Sequence, residues 1–166
     1  MNGGSSLRTR QATKATVAAV ILFAITTVHH VYGAYVYNTS WRLHAPLISG
    51  FATALLFALM QLIRTSSGDR VGLMARRAFI WTTFLIPFLG FGVFEGAYNH
   101  ALKLVLYLAH VRLSLMTRLF PPPAYEMPNN VLFEITGVMQ VVPGFMTGYY
   151  LYQFMRSGRR PTGLED

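Results

Sequence analysis

Residues 15–37 read ATVAAVILFAITTVHHVYGAYVY and contain no Lys, Arg, Asp or Glu. The hydrocarbon core of a bilayer is crossed by about 20 predominantly apolar residues in a helix. The stretch therefore predicts a transmembrane helix. Three more segments are long and apolar enough to do the same: residues 44–63, residues 78–98 with a helix-like continuation toward residue 119, and residues 131–155.

The composition excludes several classes of protein. Only 12% of the residues are charged, about half the share found in an average soluble domain. The absence of cysteine excludes disulfides, iron–sulfur clusters and thiol nucleophiles. The net charge of +8 would suit a nucleic-acid ligand, but the basic residues flank apolar segments, which is a membrane pattern. We expect a lipid bilayer and no nucleic acid as partner.

The predicted fold is an all-α bundle of four transmembrane helices, with a helical, proline-rich outer connection between helices 3 and 4. It forms a single domain, residues 15–155, between basic tails at residues 1–14 and 156–166. Short loops rich in Lys and Arg stay cytoplasmic, which places both termini in the cytoplasm. The competing interpretation is a cleaved signal peptide that leaves three spans. The cytoplasmic side carries ten basic residues: Arg8, Arg10, Lys14, Arg64, Arg70, Arg76, Arg77, Arg156, Arg159 and Arg160. The outer side carries four: Arg42, Lys103, Arg112 and Arg118.

Polar residues of different helices are predicted to share one layer near the outer boundary. At a rise of roughly 1.5 Å per residue, His29 lies roughly 22 Å beyond Lys14 and Glu95 roughly 27 Å beyond Arg77. Glu134 lies roughly 33 Å from Arg156 by the same arithmetic. His44, at the start of the second span, joins this layer.

Glu95 is the strongest candidate for a functional group, because a carboxylate in hydrocarbon costs at least ~2.5 kcal/mol and is usually paired. Protonation, Lys103 or a histidine would neutralise it. Glu95 and His100 are the least secure pair, since an α-helix turns them roughly 140° apart. The predicted catalytic residues are Glu95, His29, His30 and His100, and the predicted lining residues are Asn99, Glu134, His44 and Tyr98.

These residues favour a membrane enzyme that uses acid/base chemistry on a lipophilic small molecule. A transition metal held by His29, His30, Glu95 and His100 is an alternative, in a protein that binds or moves metal ions or protons. No cofactor is required by the sequence, which lacks the Walker, dinucleotide and His-Glu-x-x-His motifs. The third alternative is a non-catalytic accessory subunit of a larger complex. Small-xxx-small patterns at Gly92/Gly96 and Gly144/Gly148 indicate close helix packing, within the chain or in a homo- or hetero-oligomer.

Overall fold

The computed structural model describes residues 3–66, 69–122 and 124–157. Over these residues the chain is helical and contains no strand. Arg159 and Arg160, which entered the sequence analysis, lie outside the described residues. The helices are α1 Gly3–Val36, a 3₁₀ turn Ser40–Leu43, α2 His44–Thr65, α3 Arg70–Thr83, a π-helical segment Phe84–Leu102, α4 Lys103–Leu108, α5 Leu113–Leu119, α6 Val131–Met139 and α7 Val141–Ser157.

Four helical rods are long and apolar enough to cross a membrane: Ser6–Val36, Ser40–Thr65, Arg70–Leu108 and Val131–Ser157. They bury a core of small, aliphatic and aromatic residues, among them Ala15, Phe23, Leu56 and Phe79. Large apolar side chains such as Phe51 point outward, as expected for a surface that faces lipid. The first rod is longer than predicted, since α1 begins at Gly3 and includes most of the basic tail.

The third rod changes its helix type at Phe84. Pro87 has no N–H to donate to the carbonyl of Thr83, so the α-helical ladder loses a bond at this point. From Phe84 to Leu102 the chain is π-helical over 19 residues, a helix type in which a backbone N–H donates to the carbonyl five residues before it. Residues five apart therefore lie above one another in this segment, which decides the geometry of the site described below.

The fourth rod is interrupted between α6 and α7 at Gln140. The cause is Pro143, which gives no hydrogen bond to the carbonyl of Met139. Near this interruption the third and fourth rods approach closely: a Cβ on Gly92 would lie 2.7 Å from the Cα of Gly144. The small-xxx-small patterns thus permit backbone contact within one chain.

The helix after Leu102 does not run on to residue 119 as the sequence suggested. It breaks at Ala109–Arg112, where His110 has a φ of 53°, and α5 forms a separate short helix. The connection folds back onto the third rod, because the Tyr98 hydroxyl donates to the carbonyl of Leu119 at 2.9 Å. Phe120 is completely buried there.

Candidate functional site

Three histidines surround one carboxylate oxygen. Oε1 of Glu95 lies 3.3 Å from Nε2 of His30, 3.5 Å from Nε2 of His100 and 3.8 Å from Nε2 of His29. We call these four residues the histidine–glutamate cluster. His29 and His30 come from α1, and Glu95 and His100 come from the π-helical segment. The side chains of all three histidines are buried.

The π-helical geometry places Glu95 and His100 on the same face. They are five residues apart, so the separation of roughly 140° expected for an α-helix does not apply, and that expectation was wrong. Asn99 fixes the carboxylate from the same helix, because its Nδ2 donates to Oε2 of Glu95 at 2.7 Å. Oε2 is therefore satisfied, and Oε1 faces the imidazoles.

Thr136 is the hydrogen-bond partner of His29. The Thr136 hydroxyl lies within donating distance of the carbonyls of Leu132 and Phe133, at 2.8 and 3.1 Å. While it donates to them, it can accept a hydrogen bond from Nδ1–H of His29, which lies 3.0 Å away. In that neutral tautomer, with its single N–H, Nε2 of His29 presents a lone pair to the cluster. That nitrogen is buried and has no hydrogen-bond partner among the described residues.

His100 is oriented in the same way by Glu134. Its Nδ1 lies 3.1 Å from Oε2 of Glu134, and a carboxylate only accepts, so Nδ1 carries the proton. The other oxygen of Glu134 accepts from Nζ of Lys103 at 3.2 Å, and Nζ also donates to the Glu126 carbonyl at 2.8 Å. Lys103 thus neutralises Glu134 rather than Glu95. When the ring is neutral, Nε2 of His100 presents a lone pair toward Glu95.

His30 completes the cluster without a fixed tautomer. Both of its ring nitrogens are buried and have no hydrogen-bond partner among the described residues. The ring of Phe133 covers the cluster from the side of α6, stacked on His29 with centroids 4.1 Å apart. This apolar cover limits access of water to the buried nitrogens.

A cavity of about 180 Å³ lies beside the cluster, with Glu95, His30 and His100 in its wall. The lining also includes aromatic and charged residues, among them Phe94, Phe133, Trp41, Arg42, Lys103 and Tyr125. Phe94 and Trp41 are each about half exposed on the outer surface of the bundle. The pKa of the Tyr125 phenol is raised by burial and further by the Glu95 carboxylate, so at neutral pH it is a hydrogen-bond donor.

The other sequence-predicted residues fall into two groups. Glu134 contacts His100, Asn99 contacts Glu95, and the exposed His44 lines the cavity with its ring centroid 6.0 Å from that of His30. Tyr98 is not among the lining residues and packs instead on Phe120.

The sequence analysis missed two functional candidates. It did not single out Thr136, and it counted Arg42 only among the basic residues of the outer side, although Arg42 is buried. Asn130 caps α6, since its side chain accepts from the Phe133 N–H. Such a cap indicates where a helix begins, but it does not indicate that Thr136, within that helix, contacts a histidine of another helix.

The donor set fits a transition metal. His29, Glu95 and His100 each offer one atom, and these atoms lie within 4.8 Å of one another. Zn–N bonds of about 2.0–2.1 Å place neighbouring tetrahedral ligand atoms about 3.3 Å apart, close to the distances around Oε1 of Glu95. A histidine that binds a metal through one ring nitrogen usually donates a hydrogen bond from the other to a nearby oxygen. Thr136 and Glu134 offer such oxygens to Nδ1 of His29 and His100.

Comparison with known proteins gives no relatives: the chain matches no family model, no curated protein and no solved structure.

Proposed function

We propose that this protein is a multi-pass membrane enzyme whose histidine–glutamate cluster binds a transition-metal ion and acts on a lipophilic small molecule. The observation that carries the proposal is the convergence of three potential ligand atoms. Nε2 of His29 and Nε2 of His100 lie 3.8 and 3.5 Å from Oε1 of Glu95, and donation from Nδ1 of the two histidines to Thr136 and Glu134 would leave both Nε2 atoms free to bind a cation. A bound cation would compensate the charge of the buried carboxylate.

The nature of the donors limits the choice of cation. Imidazole nitrogens with one carboxylate suit zinc, copper(II), iron or nickel rather than magnesium or calcium. A bound ion of this kind would polarise an oxygen of the substrate or activate a water molecule. Asn99 and Glu134 would orient the ligands, and the cavity would bring the substrate to His30 and Glu95.

The membrane arrangement is part of the same proposal. With both termini cytoplasmic, as the ten-to-four distribution of basic residues predicts, the cluster lies in the outer half of the bilayer. Phe94 and Trp41, half exposed in the cavity wall, would admit a substrate sideways from the lipid.

Acid/base catalysis without a metal is the second candidate function. His30 favours it, because no partner among the described residues fixes its tautomer. A proton shared between Nε2 of His30 and Oε1 of Glu95, 3.3 Å apart, would also neutralise the carboxylate. The two functions differ in whether the resting protein needs a metal ion.

The test is metal binding by the purified full chain in a nonionic detergent. Metal content is measured by mass spectrometry, and Co²⁺ is titrated while its visible absorption is recorded. We expect about one ion per chain, and a loss of affinity of at least about tenfold in each of His29→Asn, His100→Asn and Glu95→Gln. The matched control is His110→Asn, since His110 is exposed and its φ of 53° suits asparagine.

Two results would overturn the metal proposal. One is a chain that binds none of Zn²⁺, Co²⁺, Cu²⁺ and Ni²⁺ stoichiometrically. The other is a bound metal that His100→Asn leaves in place as firmly as His110→Asn does. Either result would favour the proton-sharing arrangement of His30 and Glu95.

A further inference from the structure

Arg42 is a buried cation that forms no ion pair within the described residues. It lies in the 3₁₀ turn before α2 and is only 5% exposed. Nε donates to the hydroxyl of Thr39 at 2.8 Å, whereas Nη2 is buried without a hydrogen-bond partner among those residues. No carboxylate of the described residues lies within 4.0 Å of the guanidinium.

The surroundings of Arg42 compensate its charge only in part. The guanidinium carbon lies 4.9 Å from the ring centroid of Trp41, 5.2 Å from that of Phe133 and 5.5 Å from that of Tyr37. Aromatic faces attract a cation, but they accept no N–H···O hydrogen bond of the usual kind. A guanidinium keeps its charge when buried, and buried charges are normally paired. An anionic oxygen would pair the guanidinium of Arg42.

The cavity beside the cluster is where that oxygen would come from. Arg42 lines it together with Glu95 and Lys103. Lys103 is already engaged by Glu134 and by the Glu126 carbonyl, and Glu95 faces the three histidines. Glu126 also lines the cavity, but its carboxylate forms no ion pair with Arg42. Arg42 is therefore the cation of this lining that is free to receive a ligand.

We infer that Arg42 binds the anionic head of an amphiphile, a carboxylate or phosphate borne on an apolar chain, and holds it beside the histidine–glutamate cluster. The planar fork of a guanidinium matches such groups through two parallel hydrogen bonds. About 180 Å³ accommodates a head group and a few neighbouring atoms, while Phe94 and Trp41 offer exposed apolar surface to the chain. The inference rests on the proposed function in one respect, since it names the class of substrate for that site.

The experiment uses Trp41 as the reporter, because it lines the cavity and contacts Arg42. The chain has two tryptophans, so Trp81→Phe, at an exposed position of α3, leaves Trp41 alone. Dibromostearate, whose bromines quench tryptophan, is titrated against its methyl ester in dodecyl maltoside. We expect the acid to bind at least about tenfold more tightly than the ester, and stearate but not stearyl alcohol to restore the fluorescence.

Variants assign the preference to Arg42. Arg42→Gln should remove the difference between acid and ester, and Arg42→Lys should reduce it severalfold because lysine keeps the charge but loses the fork. Arg112→Gln is the control, since Arg112 is exposed and outside the cavity lining. Glu126→Gln should leave the acid preference intact or increase it, because it removes a competing carboxylate.

Several outcomes would overturn the inference. Equal affinity for acid and ester does so without any Arg42 variant, even if Arg42→Gln fails to fold. If the ratio of acid to ester affinity is unchanged in Arg42→Lys, the guanidinium fork is not the group that recognises the acid. Inorganic phosphate or acetate that competes at the same concentration as stearate would show that the site takes free anions instead of an amphiphile. All titrations are repeated after chelation and in His100→Asn, where the acid preference should persist even if the metal proposal fails.

Discussion

His100 and Glu134 form a hydrogen bond between the third and fourth rods, with Nδ1 of the imidazole 3.1 Å from Oε2 of the carboxylate. Glu134 lies in the first turn of α6, where the positive end of the helix favours a negative charge. The same carboxylate neutralises the buried ammonium of Lys103. Glu134 therefore stabilises its own helix, pairs a lysine and fixes the orientation of a cluster histidine.

Glu134→Gln should weaken both the fold and metal binding. It leaves Lys103 as a buried unpaired ammonium, which costs about 3 kcal/mol in the free energy of unfolding, and it removes the acceptor that orients His100, which costs about 10–100-fold in metal affinity. Thermal unfolding and Co²⁺ titration measure the two effects. The double variant Lys103→Met/Glu134→Gln should recover much of the stability but not the metal affinity. Recovery of both would contradict the orienting role of Glu134.

Gly137→Ala should displace His100. A Cβ on Gly137 would collide with the His100 ring, and overpacking of this kind costs about 1–3 kcal/mol in stability. We expect metal binding to fall with it. The control is Gly50→Ala, because a Cβ there meets no atom within 4 Å, and alanine in a helix is favoured over glycine by up to about 1 kcal/mol. Unchanged metal binding in Gly137→Ala would show that His100 is not a ligand.

Thr136→Val should remove the hydrogen bond that holds Nδ1 of His29. Valine keeps the shape of threonine but cannot accept from Nδ1–H, so the tautomer with its lone pair on Nε2 is no longer favoured. We expect a metal affinity about 10–100-fold lower and rescue by Thr136→Ser. Thr147→Val is the matched control, since Thr147 is buried and also donates to a carbonyl of its own helix, that of Pro143 at 2.8 Å. Equal losses in both valine variants would point to a general packing effect.

Reporter fusions should place the two ends of the fourth rod on opposite sides of the membrane. A fusion after Asp166 should report the cytoplasm and one after Pro123 the outer side, as the distribution of basic residues predicts. Alkaline phosphatase and fluorescent-protein fusions give complementary signals at each position. Matching signals from both positions would end the four-span topology.

The four rods and the shared polar layer could be predicted from the sequence. Apolar length identifies a spanning helix without knowledge of its partners, and a constant rise per residue puts His29 and Glu95 at similar depths. Depth is a property of each helix alone. For that reason it could be calculated before any packing was known.

That the side chains of Glu95 and His100 lie on the same face of the helix could not be predicted in the same way. Their angular separation depends on the number of residues per turn, and the apolar pattern of residues 84–102 does not reveal that number. Pro87 signals a disturbed ladder but not its type. The roles of Thr136 and Arg42 depend on contacts between helices, which no pattern within one helix contains.

The π-helical segment makes the site depend on the backbone as well as on the side chains. If the segment returned to α-helical spacing, Glu95 and His100 would lie roughly 140° apart and would turn away from each other, while every side chain of the cluster was still present. A substitution that restored the α-helical ladder would keep the length of the span and still remove the site. The wide helix is as much a part of the site as the histidines are.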